Sequence, residues 1–257
     1  MSDPADHALE AVRPSKPEYG LDAPWLVRLL GGAGAGCFLL GVLIRLPESL
    51  FVLQLPLVLL QWAGLMGLGQ AGLMFLSSSY GKLRARDRLI ASISWRGDEQ
   101  VLDVGCGRGL MLVAAARRLS TGRAVGIDNW RSDDLSDNWA EAAWDNARLE
   151  GVDDRIEIRD GDYRELPFED ASFDVVLASL AFYMLDNAGQ RFSAMQELAR
   201  VLKPGGVLLI MDIGLLSGHA RLLREAGLTV KWEGFRGFMY PPTSVIRAVK
   251  GVAPSTT

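Results

Sequence analysis

The stretch VLDVGCGRG, residues 101–109, joins a short apolar run to three closely spaced glycines, and a helix-period segment at 110–119 follows directly. An apolar strand that ends in glycines and leads into a helix is typical of the carboxyl edge of a parallel sheet, where such folds bind ligands. Glycines there permit positive φ angles and let a ligand approach the backbone closely. The stretch therefore predicts a ligand-binding loop between a strand and a helix.

The glycine spacing limits which ligand this loop can hold. The dinucleotide fingerprint would need a further glycine at 110, where Leu110 stands. The loop also lacks the Lys-Ser/Thr pair of a phosphate-binding P-loop. The next apolar run ends in Asp128, and a carboxylate there can accept hydrogen bonds from both hydroxyls of a ribose. We therefore expect a nucleoside ligand without a pyrophosphate.

Apolar runs and helix-period segments alternate along the rest of this domain. Strands are predicted at 101–104, 124–127, 155–158, 175–178, 207–213, 228–234 and 244–250, and helices at 110–119, 137–149, 190–202 and 217–226. The alternation predicts an α/β fold with a parallel sheet covered on both faces. The KPGG sequence at 203–206 predicts a turn before the fifth strand.

Two long apolar segments precede the domain. Residues 26–46 and 50–76 are charged only at Arg28 and Arg45, near the ends of the first segment. At about 1.5 Å per residue, each can cross a hydrocarbon core of about 30 Å. Only residues 47–49 separate the segments, so we expect a transmembrane hairpin, with a buried hairpin of soluble helices as the alternative.

Basic residues follow the second apolar segment. Lys82, Arg84, Arg86 and Arg88 stand there with a single acid, Asp87. By the positive-inside bias this end faces the cytoplasm, and a hairpin returns the N-terminus to the same side. We expect a two-span membrane protein whose soluble domain is cytoplasmic.

Small residues indicate where the two helices could touch. They are Gly32 and Gly36 on the first helix, and Ala63, Gly67 and Ala71 on the second. Spacing of four residues lets backbones approach in lipid, although small residues are also common in membrane helices that make no such contact.

These patterns divide the chain into four parts. We expect a flexible tail at 1–25, the hairpin at 26–81, a linker helix at 82–97 and the soluble domain at 98–257. The tail lacks the basic region and cleavage motif of a signal peptide.

The composition excludes several functional classes. The 257 residues are 49% hydrophobic with a formal net charge of −4, which does not suit nucleic-acid binding. Cys37 and Cys106 lie in unrelated contexts, so no disulfide is expected. With only His7 and His219, no multi-histidine metal site is expected.

Four motifs in order carry a family resemblance. VLDVGCGRG, GIDNW, RDGDYRELPFEDASFDVVLAS and RVLKPGGVLLIMD resemble the motifs of class I S-adenosylmethionine-dependent methyltransferases, in particular the quinone and sterol methyltransferase branch. The resemblance covers about residues 98–212, with a weaker tail to 250. It implies a Rossmann-like seven-stranded sheet whose last two strands form an antiparallel pair, here preceded by two transmembrane helices.

The resemblance also implies the cofactor, S-adenosylmethionine, and residues that hold it. The methionine part would be surrounded by Asp103, Gly105, Cys106 and Gly107, with Ala178 and Ser179 beside its amino group. Asp128 would hold the ribose, and Asn129 is placed with it. Gly161, Asp162 and Tyr163 would meet the adenine, with Asp160 as a competitor of Asp162.

No catalytic residue is assigned. Tyr183, Asp186 and His219 follow predicted strands and could act as a base on the acceptor, although an aromatic wall, a helix cap and a surface residue are the simpler interpretations. Relatives often carry histidines after the fourth strand, but residues 180–184 contain none.

We expect a membrane-anchored methyltransferase acting on a small lipophilic acceptor such as a lipid, quinone or sterol-like compound. The apolar face of the linker helix could guide that acceptor from the membrane, with plain packing of this face in the core as the alternative. A membrane-tethered module that binds S-adenosylmethionine as a scaffold or sensor is the alternative. The glycine spacing disfavours a nicotinamide-dependent dehydrogenase, and the sequence does not determine the oligomeric state.

Overall fold

The computed structural model describes residues 15–44, 46–47, 51–131, 135–183, 185 and 187–252. Within them a two-helix hairpin is followed by an α/β domain. The first 14 residues of the expected tail, Arg45, Glu48, Ser49 and Asp186 lie outside the described residues.

Seven strands form one mixed sheet in the order β3-β2-β1-β4-β5-β7-β6. They are β1 (Gln100–Val104), β2 (Arg123–Asp128), β3 (Ile156–Asp160), β4 (Phe173–Ser179), β5 (Leu202–Ile213), β6 (Leu228–Arg236) and β7 (Thr243–Lys250). The first five are parallel, and β7 is antiparallel to both neighbours. The expected seven-stranded fold is confirmed. Because the order reverses at β1 and β4, their carboxyl ends form the crevice where such sheets bind ligands.

Helices cover both faces of the sheet. They are α3 (Lys82–Ala91), α4 (Leu110–Ala116), α5 (Ala140–Leu149), α6 (Ala188–Val201) and α7 (Ser217–Glu225). Successive residues of a strand point to opposite faces. Val101 accordingly packs in a cluster with Leu89 of α3, whereas Leu102 packs in a second cluster with Leu198 of α6. The two clusters fix the sheet that carries the crevice.

The KPGG sequence lies inside β5, which corrects the expected turn before that strand. Leu202 pairs with Phe173, and pairing resumes between Val207 and Val175. Residues 203–206 therefore form an irregularity within the strand, where Gly205 adopts a φ of +80°. The strand begins earlier than its apolar run because Leu202 also finds a partner on β4.

The hairpin consists of α1 (Pro24–Leu43) and α2 (Phe51–Leu76), which pack through glycines. A Cβ atom added to Gly34 would lie 2.9 Å from the amide nitrogen of Leu68. One added to Gly64 would lie 2.4 Å from the amide nitrogen of Phe38. The two backbones are therefore in direct contact, which only glycine allows at these positions.

The expected contact stripe is correct for Gly67 and Ala71 but wrong for Gly32, Gly36 and Ala63. A Cβ on Gly67 would lie 3.2 Å from the carbonyl oxygen of Leu30, and Ala71 is buried. Nothing lies within 4 Å of a Cβ on Gly32 or Gly36, and Ala63 is exposed. The contact on α1 instead follows Gly34 and Gly41, seven residues apart.

Both hairpin helices are long and apolar enough to cross a membrane, judged by length and composition. In the two candidate spans only 11% and 17% of residues are buried inside the protein. Large apolar side chains remain exposed outside the contact, among them Leu43 at 73% and Phe51 at 76%.

The segment before α1 packs on the domain, so the expectation of a flexible tail is wrong for residues 17–23. Tyr19 is 8% exposed, and Asp22 forms a β-bridge with Leu135. The physical reason is that backbone groups of this segment find hydrogen-bond partners on the domain. We call residues 17–23 the strap.

A π-helical segment, Ser77–Gly81, connects α2 to α3 without a break. The hydroxyl of Ser77 accepts a hydrogen bond of 2.8 Å from the amide of Tyr240, in the loop between β6 and β7. A Cβ atom on Gly81 would lie 2.0 Å from the carbonyl oxygen of Phe238 in the same loop. The end of α2 is thereby fixed to the domain.

Candidate functional site

A cavity of about 260 Å³ lies at the carboxyl edge of the sheet. Eight of the eleven residues expected to bind a cofactor line it: Asp103, Gly105, Cys106, Gly107, Asp128, Asn129, Tyr163 and Ser179. Gly161, Asp162 and Ala178 are not among the lining residues. The structure thus brings most of the expected site together from the ends of four neighbouring strands, β3, β2, β1 and β4.

The glycine loop needs its glycines for conformation and for space. Gly105 has a φ of +68°, and a Cβ atom there would lie 2.8 Å from the Cβ of Ala181. Gly107 has a φ of +50°, and its amide donates a hydrogen bond of 2.7 Å to Asp128. The glycine loop is therefore hydrogen-bonded to the tip of β2.

Asp103, near the end of β1, is a buried acid without a partner. It is 1% exposed, and neither carboxylate oxygen has a hydrogen-bond partner. Burial raises the pKa of Asp103 to about 8; the backbone amide of Leu112 opposes this rise, and the nearby charge of Asp128 adds to it. An unpaired buried acid is costly unless a ligand supplies donors. A bound ammonium group would supply them.

Asp128, at the tip of β2, is held by backbone amides. One oxygen accepts from Gly107 and the other from Trp130, each at 2.7 Å. A carboxylate oxygen has two acceptor sites, so both oxygens can still accept from ligand hydroxyls. The indole of Trp130 donates to Asp160, which ties the tips of β2 and β3 together.

Asp162, expected to meet the adenine, is paired with a neighbouring residue in this structure. The Asp162 carboxylate accepts from the guanidinium of Arg164, and these hydrogen bonds lower its pKa. Tyr163 lines the cavity beside it and packs edge to face on Phe182, with ring centroids 5.3 Å apart. Of Asp162 and Tyr163, it is therefore Tyr163 whose side chain can pack against a flat ring such as adenine.

The two residues expected at the tip of β4, Ala178 and Ser179, have different surroundings. Ala178 is 3% exposed and belongs to the core that packs on α6. Ser179 lines the cavity, as the alternation of side chains along a strand requires.

The strap covers one side of this cavity, and we call this cover the roof. Its residues Tyr19, Asp22 and Ala23 line the cavity. At Glu18, the amide donates to the side chain of Asn146 at 2.8 Å. The Glu18 carbonyl accepts from Asn146 at 2.9 Å and from Arg108 at 2.7 Å. Arg108 belongs to the glycine loop, so the roof and the loop share one hydrogen-bond network.

A second group of contacts ties the roof to the hairpin, and we call its residues Asp22, Ser78 and Lys82 the latch. The ammonium of Lys82 donates to the carbonyls of Tyr19 and Gly20 and lies 3.1 Å from Asp22. The hydroxyl of Ser78 donates to the other Asp22 oxygen at 2.7 Å. The latch connects Asp22, two residues before α1, to the π-helical segment and the start of α3, directly after α2.

Sequence reasoning missed the roof residues. Arg108, a long cation inside a glycine loop, and Asn146, an amide on the buried face of a predicted helix, were the available signals. Neither signal identifies a partner in the region before α1.

The far side of the cavity is lined by Tyr183, Ile213, Tyr240 and Thr243. His219, a candidate base in the sequence, is not among the lining residues. Its ring packs 6.0 Å from that of Phe182, and burial lowers its pKa. Of the candidate bases within the described residues, only Tyr183 faces the cavity.

Asp212, on β5, holds backbone amides on this side of the cavity. It is 1% exposed and accepts hydrogen bonds of 2.7 Å from the amides of Phe182 and Ile213. Burial raises its pKa to about 6. Asp212 therefore orders the loop that carries Tyr183 without lining the cavity itself.

The cavity continues to the hairpin. Trp25 and Leu26 at the start of α1 and Met74 near the end of α2 line it, together with Ser78 and Lys82. The sequence had indicated the apolar face of the linker helix for this role. That face is instead covered, because Leu89 and Ile90 of α3 are buried in the core.

Comparison with known proteins agrees with this architecture. Residues 102–210 match the family described as "Methyltransferase domain". The YcgJ protein from Bacillus subtilis has a similar fold, with a TM-score of 0.55, 17% identity, and coverage of 66% of this chain and 99% of that one.

Two curated relatives are similar over the same region. A 27-O-demethylrifamycin SV methyltransferase from Amycolatopsis mediterranei is 35% identical over 56% of this chain and 49% of its own length. A demethylmenaquinone methyltransferase from Staphylococcus aureus is 35% identical over 49% of this chain and 48% of its own length. The chain thus spans about half the length of the curated relatives it matches.

Proposed function

We propose that the protein is a class I S-adenosylmethionine-dependent methyltransferase and that it methylates a small lipophilic acceptor at a membrane. The match of residues 102–210 to the methyltransferase domain family supports the first part. One observation carries the proposal: a single cavity is lined at one end by the glycine loop and at the other by two apolar helices. Cofactor and membrane would meet in one site.

The residues present fit S-adenosylmethionine, which when bound supplies a methyl group on an electrophilic sulfonium. Asp103 would pair with its ammonium group, because the carboxylate is buried at the cavity wall without a partner. Asp128 would accept from the ribose hydroxyls, with Asn129 beside it. Tyr163 would face the adenine with Gly161 nearby in sequence, while the Asp162 carboxylate would reach it only if the ion pair to Arg164 opened.

The chain's own contribution to the reaction would be alignment and exclusion of water. The strap covers the cavity, and the walls on the acceptor side are mainly apolar. Holding two reactants in line and removing water accounts for much of the acceleration in such transfers. No residue needs to act as a nucleophile.

Membrane anchoring is supported by the exposed apolar surface of the hairpin and by the basic residues Arg84, Arg86 and Arg88 after it. The hairpin would span the membrane twice, and the domain would face the cytoplasm. The names of both curated relatives specify small-molecule acceptors, demethylmenaquinone in one case.

A labelled-methyl assay against fractionated membrane extract tests this function. We expect label in a lipid-soluble product with the unchanged protein. Asp128→Asn should bind S-adenosylhomocysteine about ten- to a hundredfold more weakly, because hydrogen bonds to a charged group contribute about 1.5–3 kcal/mol each. Asp154→Asn, at a 74% exposed side chain, is the matched control and should change nothing.

Two results would contradict the proposal. Label found only in water-soluble metabolites or protein would exclude a lipophilic acceptor. Binding of S-adenosylhomocysteine without transfer to any fraction would favour the scaffold or sensor.

A further inference from the structure

The acceptor end of the cavity reaches the surface at the hairpin. Trp25 at the start of α1 is 56% exposed, whereas Met74 near the end of α2 is 5% exposed, and both line the cavity. The start of one helix and the end of the other lie on the same side of an antiparallel hairpin. The cavity would therefore open at the boundary of the hydrocarbon layer.

We propose that this gap between Trp25, Leu26 and Met74 is the port for an uncharged, single-tailed amphiphile, whose polar head enters the cavity while its tail stays in the bilayer. The proposal rests on the proposed function and adds the route and the class of acceptor. We call these three residues the port.

The size of the cavity requires the tail to remain outside. Pockets that enclose a drug-sized ligand usually measure about 300–1,000 Å³. This cavity has about 260 Å³ and would also hold part of the cofactor. A long apolar chain does not fit, but a head group does.

The latch requires that head to be uncharged. An ammonium group has three donors. Those of Lys82 are taken by two strap carbonyls, at 2.8 and 2.5 Å, and by Asp22 at 3.1 Å. Both oxygens of Asp22 are also used, by Lys82 and Ser78. The one ion pair beside the port is saturated, so it offers a phosphate or carboxylate no donor.

The other cations on the cavity wall belong to the cofactor side. Arg108 donates to the carbonyls of Glu18 and Asp137. Arg131 follows the tip of β2, three residues after Asp128. Within the part of the chain that the structure describes, the cations that line the cavity are these two and Lys82.

Hydroxyl groups line the inner end of the acceptor side instead. Thr243 is 1% exposed, and its hydroxyl has no hydrogen-bond partner. Tyr183 and Tyr240 line the same region. Hydroxyls donate and accept, so they suit a phenol, an alcohol or a carbonyl.

Photolabelling of the full chain in lipid nanodiscs tests the port without relying on turnover. The probe is 4-dodecylphenol with a diazirine at the second carbon of its tail, next to the ring, and the labelled peptides are identified by mass spectrometry. We expect labelling at the start of α1 and the end of α2. Met74→Trp, which fills the port, should reduce that labelling at least fivefold.

Met66→Trp is the matched control, because Met66 lies on the same helix, is 64% exposed and does not line the cavity. It should label as the unchanged protein does. Unchanged binding of S-adenosylhomocysteine reports that each variant is folded. Leu26→Trp repeats the test from the other helix if Met74→Trp fails to fold.

Dodecyl phosphate carrying the same diazirine tests the head group. We expect the phosphate to leave the port unlabelled, and Thr243→Val to weaken phenol labelling about fivefold through one lost hydrogen bond. Equal labelling by both probes, or equal labelling of the unchanged protein and both port variants, would overturn the proposal.

The two proposals fail in different ways. Labelling at the port without methyl transfer to any extract fraction leaves the port and removes the methyltransferase function. Methyl transfer that continues undiminished in Met74→Trp and Leu26→Trp leaves the function and removes the port.

Discussion

The carboxylate of Asp103 should make cofactor binding depend on pH. Its pKa of about 8 means that it is mostly protonated at pH 6–7 in the free protein. An ammonium ligand stabilises the ionised form, so binding should release a proton. Affinity for S-adenosylhomocysteine should therefore rise from pH 6 to 8, by up to about tenfold per unit, and level off above.

Titration calorimetry in two buffers of different ionisation enthalpy measures that proton. Asp103→Asn should bind more weakly with a flat profile over the same range, whereas Asp154→Asn should keep the slope. A slope that survives Asp103→Asn would assign the titration to another group.

Local spacing explains which site residues the sequence predicts. The glycines and Asp128 are set by a strand, a turn and the next strand, so a few residues of context suffice. Arg108 and Asn146 act on Glu18 across 90 and 128 residues of sequence. Contacts between residues so far apart in the sequence depend on how the strap folds back onto the domain. The sequence around Arg108 and Asn146 does not indicate that fold.

The strap should keep the cofactor in place. Asn146 is 1% exposed and makes three hydrogen bonds, two to Glu18 and one to the carbonyl of Arg108. Asn146→Leu removes all three, and S-adenosylhomocysteine should dissociate about ten- to a hundredfold faster, since each such bond contributes about 1 kcal/mol to holding the strap closed. Amide hydrogen exchange at residues 18–22 should accelerate as well.

The neighbouring Asp145→Asn serves as the control, because Asp145 pairs only with Arg148 on the surface. Faster dissociation with unchanged exchange in the strap would mean that Asn146 acts through the glycine loop alone.

The elements themselves were predictable where burial follows a simple period. Strands buried on both faces appear as apolar runs, and the seven predicted strands match the observed ones apart from their ends. The contact stripe of the hairpin was not predictable in the same way. Gly32 and Gly34 are equally small, and only the rotation of α1 against α2 selects Gly34.

The observed rotation of the two helices predicts different effects on stability for alanine substitutions at two glycines of α2. A Cβ on Gly64 would lie 2.4 and 2.6 Å from backbone atoms of α1, whereas one on Gly69 meets nothing within 4 Å. Gly64→Ala should lower the free energy of unfolding by about 1–3 kcal/mol, as overpacking does. Gly69→Ala should change it by less than about 0.5 kcal/mol. Thermal unfolding in detergent measures both, and equal effects would contradict the observed rotation.

The order of strap, hairpin and domain constrains the topology of the whole molecule. The latch joins Asp22, before α1, to Ser78 and Lys82, after α2. In the proposed membrane arrangement, both ends of the hairpin must therefore lie on the same side of the membrane as the domain, independently of the basic residues that indicate the cytoplasm. A single span, with the strap and the domain on opposite sides, would break the latch.

Cysteine labelling decides between these topologies. In a Cys37→Ser background, Ser217→Cys places a thiol at an exposed residue of the domain, and Ser49→Cys places one between the two apolar segments. A membrane-impermeant maleimide should label Ser217→Cys in inside-out vesicles but not in intact cells if the domain faces the cytoplasm as proposed. Ser49→Cys should show the reverse. Labelling of both from the same side would exclude two spans, and labelling of Ser217→Cys in intact cells would place the domain outside.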